Sequence, residues 1–220
     1  MIRKDFLINE EIYHIFSRSI ADFRILNNGG EFERMKQLMR YYQIENEMRF
    51  SFFIELEMVK SEGFNNVISS ISKDKNKLVQ IIAYCLMPTH IHLILKQLQE
   101  NGISNYMRKI LESYSTYFNT KHQRRGPLWE SRFKNVLVNN DEQLLHLTRY
   151  IHLNPVTASL TDNPKDWLFS SYKEYLTEDE NPICQFNDIL EIKPRIYLKF
   201  VNDQISYQKE LAKIKRLVIE

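Results

Sequence analysis

Leu78 to Lys96 reads LVQIIAYCLMPTHIHLILK, and its two apolar runs decide the class of fold. Val, Ile, Tyr, Cys and Leu fill most of the first run, HIHLILK makes the second, and both compositions favour β-strand. Pro88 between them suits a break or a hairpin, not the interior of a central strand. Within the second run stand His90 and His92. Residues i and i+2 of a strand leave on the same face, about 6.6 Å apart along the chain. Two imidazoles so presented can clamp a divalent metal if the face is polar or open. A bare His-x-His more often has one ring packed and the other in solvent. Here the pair interrupts a core strand, where two polar rings are costly to bury.

On the C-terminal side, Ile103, Met107, Ile110, Leu111, Tyr114 and Tyr117 mark one face of a long helix from Gly102 to about His122. Gly126-Pro127 ends that region, and LWESRFKNVLV reads as one bent strand or two short ones. Asn140 or Asp141 caps a further helix, DEQLLHLTRYIHL, which Asn154-Pro155 is expected to terminate. On the N-terminal side, IYHIFSRSI (12–20) alternates as a first strand, and Asn27 to Gly30 signals a turn. Phe32, Met35, Leu38, Met39 and Tyr42 then recur at helical spacing. Residues 46–76 read as a possible insertion with a short helix around Ser51–Val59. This order of elements predicts an α+β fold: a ferredoxin-like antiparallel sheet covered by helices. One domain is expected over 1–180, with a helical C-terminal tail over 181–220 that packs on the domain or makes a separate contact.

The 220 residues suit a single domain with a modest appendage. No run approaches the roughly 18 apolar residues of a membrane helix, and 1–11 lacks a secretory apolar core. Cys85 and Cys184 have no metal-ligand spacing and read as free thiols. These features predict a cytoplasmic protein that does not engage membranes. The net charge of +2 excludes a uniformly basic glove for nucleic acid. From Lys121 to Lys134, however, Lys121, Arg124, Arg125, Arg132 and Lys134 face one acid, Glu130. A charge run alone is usually a solvated face.

Tyr150 and Asn154 are four apart on the predicted helix, hence on one face about 6 Å apart. A phenol and a carboxamide so placed could reach one phosphate and its metal together. With 12 tyrosines in the chain, the pairing alone carries little weight.

Taken together, YCLMPTHIHLIL, GPLWESRFK, RYIHLNPVTA and FSSYKEYL resemble the single-tyrosine HUH transposases, most closely the branch of REP-associated tyrosine transposases. The resemblance covers roughly 12–176, with all four blocks in order. It implies that His90-Ile91-His92 is the His-hydrophobic-His motif, with Tyr150 as nucleophile. Asn154, one helical turn on, would complete the metal site. Thr89 departs from an asparagine common before the first histidine, and 46–76 and the tail lie outside the motif blocks. The implied activity is metal-dependent cleavage and rejoining of hairpin-flanking single-stranded DNA through a 5′-phosphotyrosine linkage. Two imidazoles and an amide oxygen suit Mg²⁺ or Mn²⁺.

Within that reading Arg124, Arg125, Arg132 and Lys134 are the expected DNA-backbone contacts. Trp129 and Phe133 offer stacking surfaces, though a core role is the more ordinary one. His14 on the first strand could approach the site, though a packing or surface role is the more ordinary one, and His146 and His152 do not share the offset of Tyr150. Tyr114, Tyr117 and Tyr172 compete weakly as nucleophiles, having no asparagine partner in a matching block. The partner is expected to be a DNA hairpin or palindromic repeat, and the chain a monomer or homodimer. Two other readings stay open: a domesticated hairpin DNA- or RNA-binding protein without cleavage, and a nuclease that uses water.

Overall fold

Four strands form in the computed structural model, which describes residues 6–73, 75–178 and 181–210. They are β1 (Ile12–Arg18), β2 (Val79–Met87), β3 (His90–Gln97) and β4 (Lys134–Leu137). The two apolar runs pair as the β2–β3 hairpin across Pro88-Thr89. The Pro88 carbonyl accepts from the backbone N–H groups of Ile25 and Leu26 at 2.8 and 3.1 Å. The sheet order is β2-β3-β1-β4 and every neighbouring pair is antiparallel. With α1 (Gly29–Tyr41) following β1 and the 20-residue α5 (Gly102–Lys121) following β3, the succession is β-α-β-β-α-β, the ferredoxin-like arrangement.

Between α1 and β2 the 46–76 segment folds as three short helices, α2 (Phe50–Phe53), α3 (Glu57–Glu62) and α4 (Phe64–Ile71). Phe50, Phe53, Val59, Val67 and Ile68 sink from it into the core shared by α1, α5 and one face of the sheet. The expected turn at 27–30 is the start of α1 itself. Asn28 accepts from the Glu31 N–H at 3.2 Å, and the Glu31 carboxylate accepts from the Asn27 N–H at 2.7 Å. Glu31 is fully buried and also receives Lys121 and His122, at 2.9 and 2.7 Å, which fastens the head of α1 to the end of α5. Burial alone would raise its pKa, but hydrogen bonds from Lys121, Asn27 and His122 bring it down to about 2.

The opposite face of the sheet has its own core. It joins Ile82, Cys85, Met87 and Ile94 to Leu144, Ile151, Leu153 and Val156 of α6 (Asp141–Thr157). α6 begins at the cap Asn140, whose side chain accepts from the Gln143 N–H at 2.8 Å. It does not stop at Asn154-Pro155. Pro155 lies inside the helix, which continues through Thr157 and closes with the Ala158 N–H donating to the Asn154 carbonyl at 2.9 Å. Pro155 and Val156 are buried against the sheet, and that apolar burial offsets the hydrogen bond the proline ring cannot make. LWESRFKNVLV also resolves differently along its length: only Lys134–Leu137 is a strand, with an isolated bridge from Trp129 to Ser19.

The described part of the 181–220 tail is built into both cores. Ile183 and Cys184 join the α1–α5 side, while Leu190 and, from α7 (Pro194–Asn202), Tyr197 and Val201 join the α6 side. Residues 211–220 lie outside the described residues. Cys85 and Cys184 are both buried and free. His152 is fully buried on α6, with Nδ1 2.6 Å from the Tyr197 hydroxyl and Nε2 2.8 Å from the Ser171 hydroxyl. The Tyr197 hydroxyl donates onward to Thr148 at 3.0 Å, so α6 and α7 share a closed polar network.

Two stability outcomes follow. A Cβ on Gly102 would collide with the backbone carbonyl of Leu78, so Gly102→Ala is expected to lower stability by roughly 1–3 kcal/mol, read from the urea midpoint. Burial lowers the pKa of His152 to about 3, whereas the unfolded chain takes up that proton near 6.5. Protonation therefore favours the unfolded state between those values: stability is whole above about pH 6.5 and drains as pH falls toward 3. His152→Gln should remove about one proton from the slope of stability against pH over that window.

Candidate functional site

Each strand of the sheet sends alternate residues to its two faces. On β1, Tyr13 and Ile15 enter the α1–α5 core, and Ser17 is buried on that side, so His14, Phe16 and Arg18 point to the α6 side. On β3, Ile91, Leu93 and Leu95 enter the α1–α5 core, so His90, His92 and Ile94 point to the α6 side. The antiparallel register sets Phe16 opposite His92 and Arg18 opposite His90. Phe16 is also paired with Lys134 of β4, and His14 with Val136. The β2 half of this face lies beneath α6. The β1–β4 half is largely open: Arg18, Lys134 and Val136 are exposed, and His14 and Phe16 only half-buried. The histidines stand at the seam between the two halves.

Tyr150 reaches that seam from α6. Its side chain is 48% exposed, in a helix whose neighbouring residues Ile151 and His152 are fully buried. The Tyr150 ring meets the His92 ring edge-on at 6.0 Å between centroids and the His14 ring edge-on at 6.3 Å. His90 and His92 stand nearly perpendicular, 5.0 Å apart. His14 Nε2 lies 3.0 Å from His92 Nδ1, and Thr89 Oγ1 lies 2.9 Å from His90 Nδ1. Asn154, one turn along α6, places its amide nitrogen 3.5 Å from the Tyr150 carbonyl, at the outer limit of a hydrogen bond.

All three histidines are neutral at pH 7. Burial lowers His14 to about 4. Burial and then the Arg18 charge lower His90 to about 4, against a smaller opposing pull from Asp22. Burial first, then His14, His90 and Arg18, holds His92 well below its ordinary value. A neutral imidazole has a nitrogen lone pair to give, the form a metal ligand requires. Neutral imidazole nitrogens and a carboxamide oxygen such as that of Asn154 are donor types that suit a hard or borderline divalent ion. Among the described residues no group of three or more His, Cys, Asp or Glu side chains is disposed to hold one ion.

The expected DNA contacts separate into different surroundings. Lys134 lies in the Phe16–His92 row, its ammonium 5.9 Å from the Phe16 ring. Arg124 spends its guanidinium on the turn after α5, donating to Asn119 Oδ1 and to the carbonyls of Gly126 and Pro127 at 2.8–3.3 Å. Arg125 is exposed in that same turn. Arg132 borders a cleft between α5 and the 129–133 segment that Trp129 and Phe133 also line. Trp129 donates its indole N–H to the Leu111 carbonyl at 3.1 Å and packs, with the 8% exposed Phe133, on the α1–α5 core.

Of the other tyrosines weighed, Tyr114 and Tyr172 are fully buried, and Tyr114 donates to the Ile25 carbonyl at 2.6 Å. Burial pushes the Tyr172 phenol up to about 12. The sequence favours a packing or surface role for His14 over an approach to the site, and nothing in it singles out Arg18. The alternation of His14, Phe16 and Arg18 was visible, but only the β1–β3 register places those side chains against His92 and His90.

Comparison with known proteins bears on this geometry. Residues 55–154 match the sequence profile of the family described as "Transposase IS200 like", a match that holds His90, His92, Tyr150 and Asn154 and begins inside the 46–76 segment. A Haemophilus influenzae protein named "Putative REP-associated tyrosine transposase" is 33% identical over 105 residues, which cover 42% of this chain. The chain spans 58% of the length of that relative. The solved structure of a REP-associated tyrosine transposase bound to a REP hairpin superposes with a TM-score of 0.55 at 16% identity. That likeness covers 87% of this chain and 94% of the other, and shows a shared fold. The stretch from 55 to 154 is thus similar in sequence to the IS200-like transposases, and the chain is similar to REP-associated tyrosine transposases in sequence over 105 residues and in fold over most of its length.

Proposed function

We propose that this protein is a metal-dependent transposase or endonuclease of the HUH type, which cleaves and rejoins single-stranded DNA beside a hairpin. One observation carries the reading: an exposed phenol, Tyr150, meets two neutral histidines, His92 and His14, edge-on at the border of an open sheet face. The IS200-like family match and the hairpin-bound structural neighbour support the substrate class.

In this reading His90, His92 and Asn154 would hold Mg²⁺ or Mn²⁺, which would supply Lewis-acid polarisation of the scissile phosphate. The Tyr150 oxygen attacks in line. A Tyr150 O–P bond forms, the P–O3′ bond breaks, the phenol proton passes to solvent, and the departing 3′-oxygen takes up a proton. The product is a 5′-phosphotyrosine and a free 3′-hydroxyl, and a second strand's 3′-hydroxyl reverses the step. Because the phosphodiester energy is stored in that linkage, rejoining needs no nucleotide. The attack leans on alignment of the Tyr150 oxygen with the scissile phosphate. Tyr150 sits on a helix whose adjacent residues are buried, which restricts the positions its ring can take. Lys134 borders the seam and steers phosphates onto it, while Arg18 beside it is paired with Asp22 at 3.4 Å.

The decisive experiment incubates the protein with labelled hairpin oligonucleotides from the flanks of its own gene and Mn²⁺, then resolves products under denaturing conditions. A metal-dependent covalent adduct that vanishes in Tyr150→Phe is expected. Cleavage that persists in Tyr150→Phe would point to water as nucleophile, and binding with neither adduct nor cleavage to a domesticated binding protein. Binding of single-stranded DNA should also weaken with salt. Lys134→Ala should lower the slope of log affinity against log salt by about 0.7, the share of one phosphate contact. Arg124→Ala, by contrast, should cost stability and leave that slope unchanged, because its donors are committed to the α5 turn.

A further inference from the structure

We propose that His14 and Thr89 fix the tautomers of His92 and His90, so that both Nε2 lone pairs are presented to one cation, and that His14 is a positioning residue and not itself a ligand. The inference rests on the metal-holding part of the function proposed above. A neutral imidazole carries one N–H and one lone pair on its two nitrogens. Which nitrogen is free for a metal is therefore set by what the other one bonds. In both histidines it is Nδ1 that is engaged: His90 Nδ1 with the Thr89 hydroxyl at 2.9 Å, His92 Nδ1 with His14 Nε2 at 3.0 Å.

If each Nδ1–H donates, both Nε2 atoms are bare. A threonine hydroxyl can accept such a bond. His14 Nε2 can accept only if His14 keeps its own proton on Nδ1, which a neutral ring allows. The reverse polarity, with His14 donating, would put the His92 proton on Nε2 and remove that ring as a ligand. The His14 nitrogen that could reach the seam is thus engaged toward His92. The sheet keeps this contact in place. His14 and His92 lie diagonally across the β1–β3 pair, their rings stacked at 5.2 Å with 21° between planes.

The test is Mn²⁺ binding to the purified full chain without DNA, followed by electron paramagnetic resonance, with ¹⁴N couplings used to count coordinated imidazoles. His90→Ala serves as the control that removes a ligand. His14→Leu, which cannot accept, should weaken Mn²⁺ binding by about 10- to 100-fold. The ion that still binds should keep two histidine nitrogens. His14→Gln, whose amide oxygen can accept from His92 Nδ1, should recover most of the affinity, which a merely space-filling role would not require. Thr89→Val should weaken binding in the same way, and Thr89→Ser should restore it. Unchanged affinity in His14→Leu alongside lost binding in His90→Ala would overturn the proposal while leaving the metal reading intact. Three nitrogens in the native protein falling to two in His14→Gln would also overturn it, by making His14 a ligand. No histidine-bound Mn²⁺ in the native protein would sink this proposal and the metal reading together, while adduct formation still tests Tyr150 separately.

Discussion

The pairing of β1 with β3 is the constraint on which the site depends. These two central strands share seven residue pairs, from Ile12 with Lys96 to Arg18 with His90. Because strand side chains alternate, a slip of one residue would send His14, Phe16 and Arg18 into the α1–α5 core and bring Tyr13, Ile15 and Ser17 to the site. Tyr13 and Ile15 are fully buried where they are, so the apolar core enforces the register and the register arranges the polar face. The same stretch of chain that supplies the core therefore sets the spacing of the histidines. Burial also keeps those rings neutral, so one packing decision fixes both their position and their charge.

The second element is α6, which lies on the face opposite α1 and α5. A helix can deliver an exposed phenol reproducibly only if the rest of it cannot roll. Here Ile151, Leu153 and Val156 bind it to the sheet, and His152 ties it through Tyr197 and Ser171 to the chain that follows. A fully buried imidazole bonded at both nitrogens resists rotation of the helix about its axis, since either bond is lost when it turns. The polar residue that looked idle in the sequence thus stabilises the placement of its near neighbour, Tyr150.

Much of this was legible in one dimension. The two β-rich runs, the amphipathic spacing of α1 and α5, and the cap at Asn140 rest on local preferences that the tertiary structure did not override. The spacing of His90 with His92, and of Tyr150 with Asn154, put each pair on one face because strand and helix periods do so wherever they occur. What was hidden depends on long-range pairing. His14 is 78 positions from His92 in the chain, and no local pattern joins them. Arg124 and Lys134 look alike in a charge run, yet one braces a turn and the other lies in line with the histidines. Pro155 carried a genuine breaker signal, but burial of the residues around it outweighed the local rule.

The anchoring of α6 by Tyr197 has a consequence in time as well as in space. Translation proceeds from the N-terminus, so β1, β3 and Tyr150 all leave the ribosome before the segment that fastens them. A nascent chain that has not yet reached Tyr197 has its histidines and its phenol, but the second core lacks Leu190, Tyr197 and Val201 and the buried His152 lacks one partner. The site therefore gains its firm geometry only once Tyr197 has been made, and a product that stops short of that residue inherits the residues of the site without its rigidity.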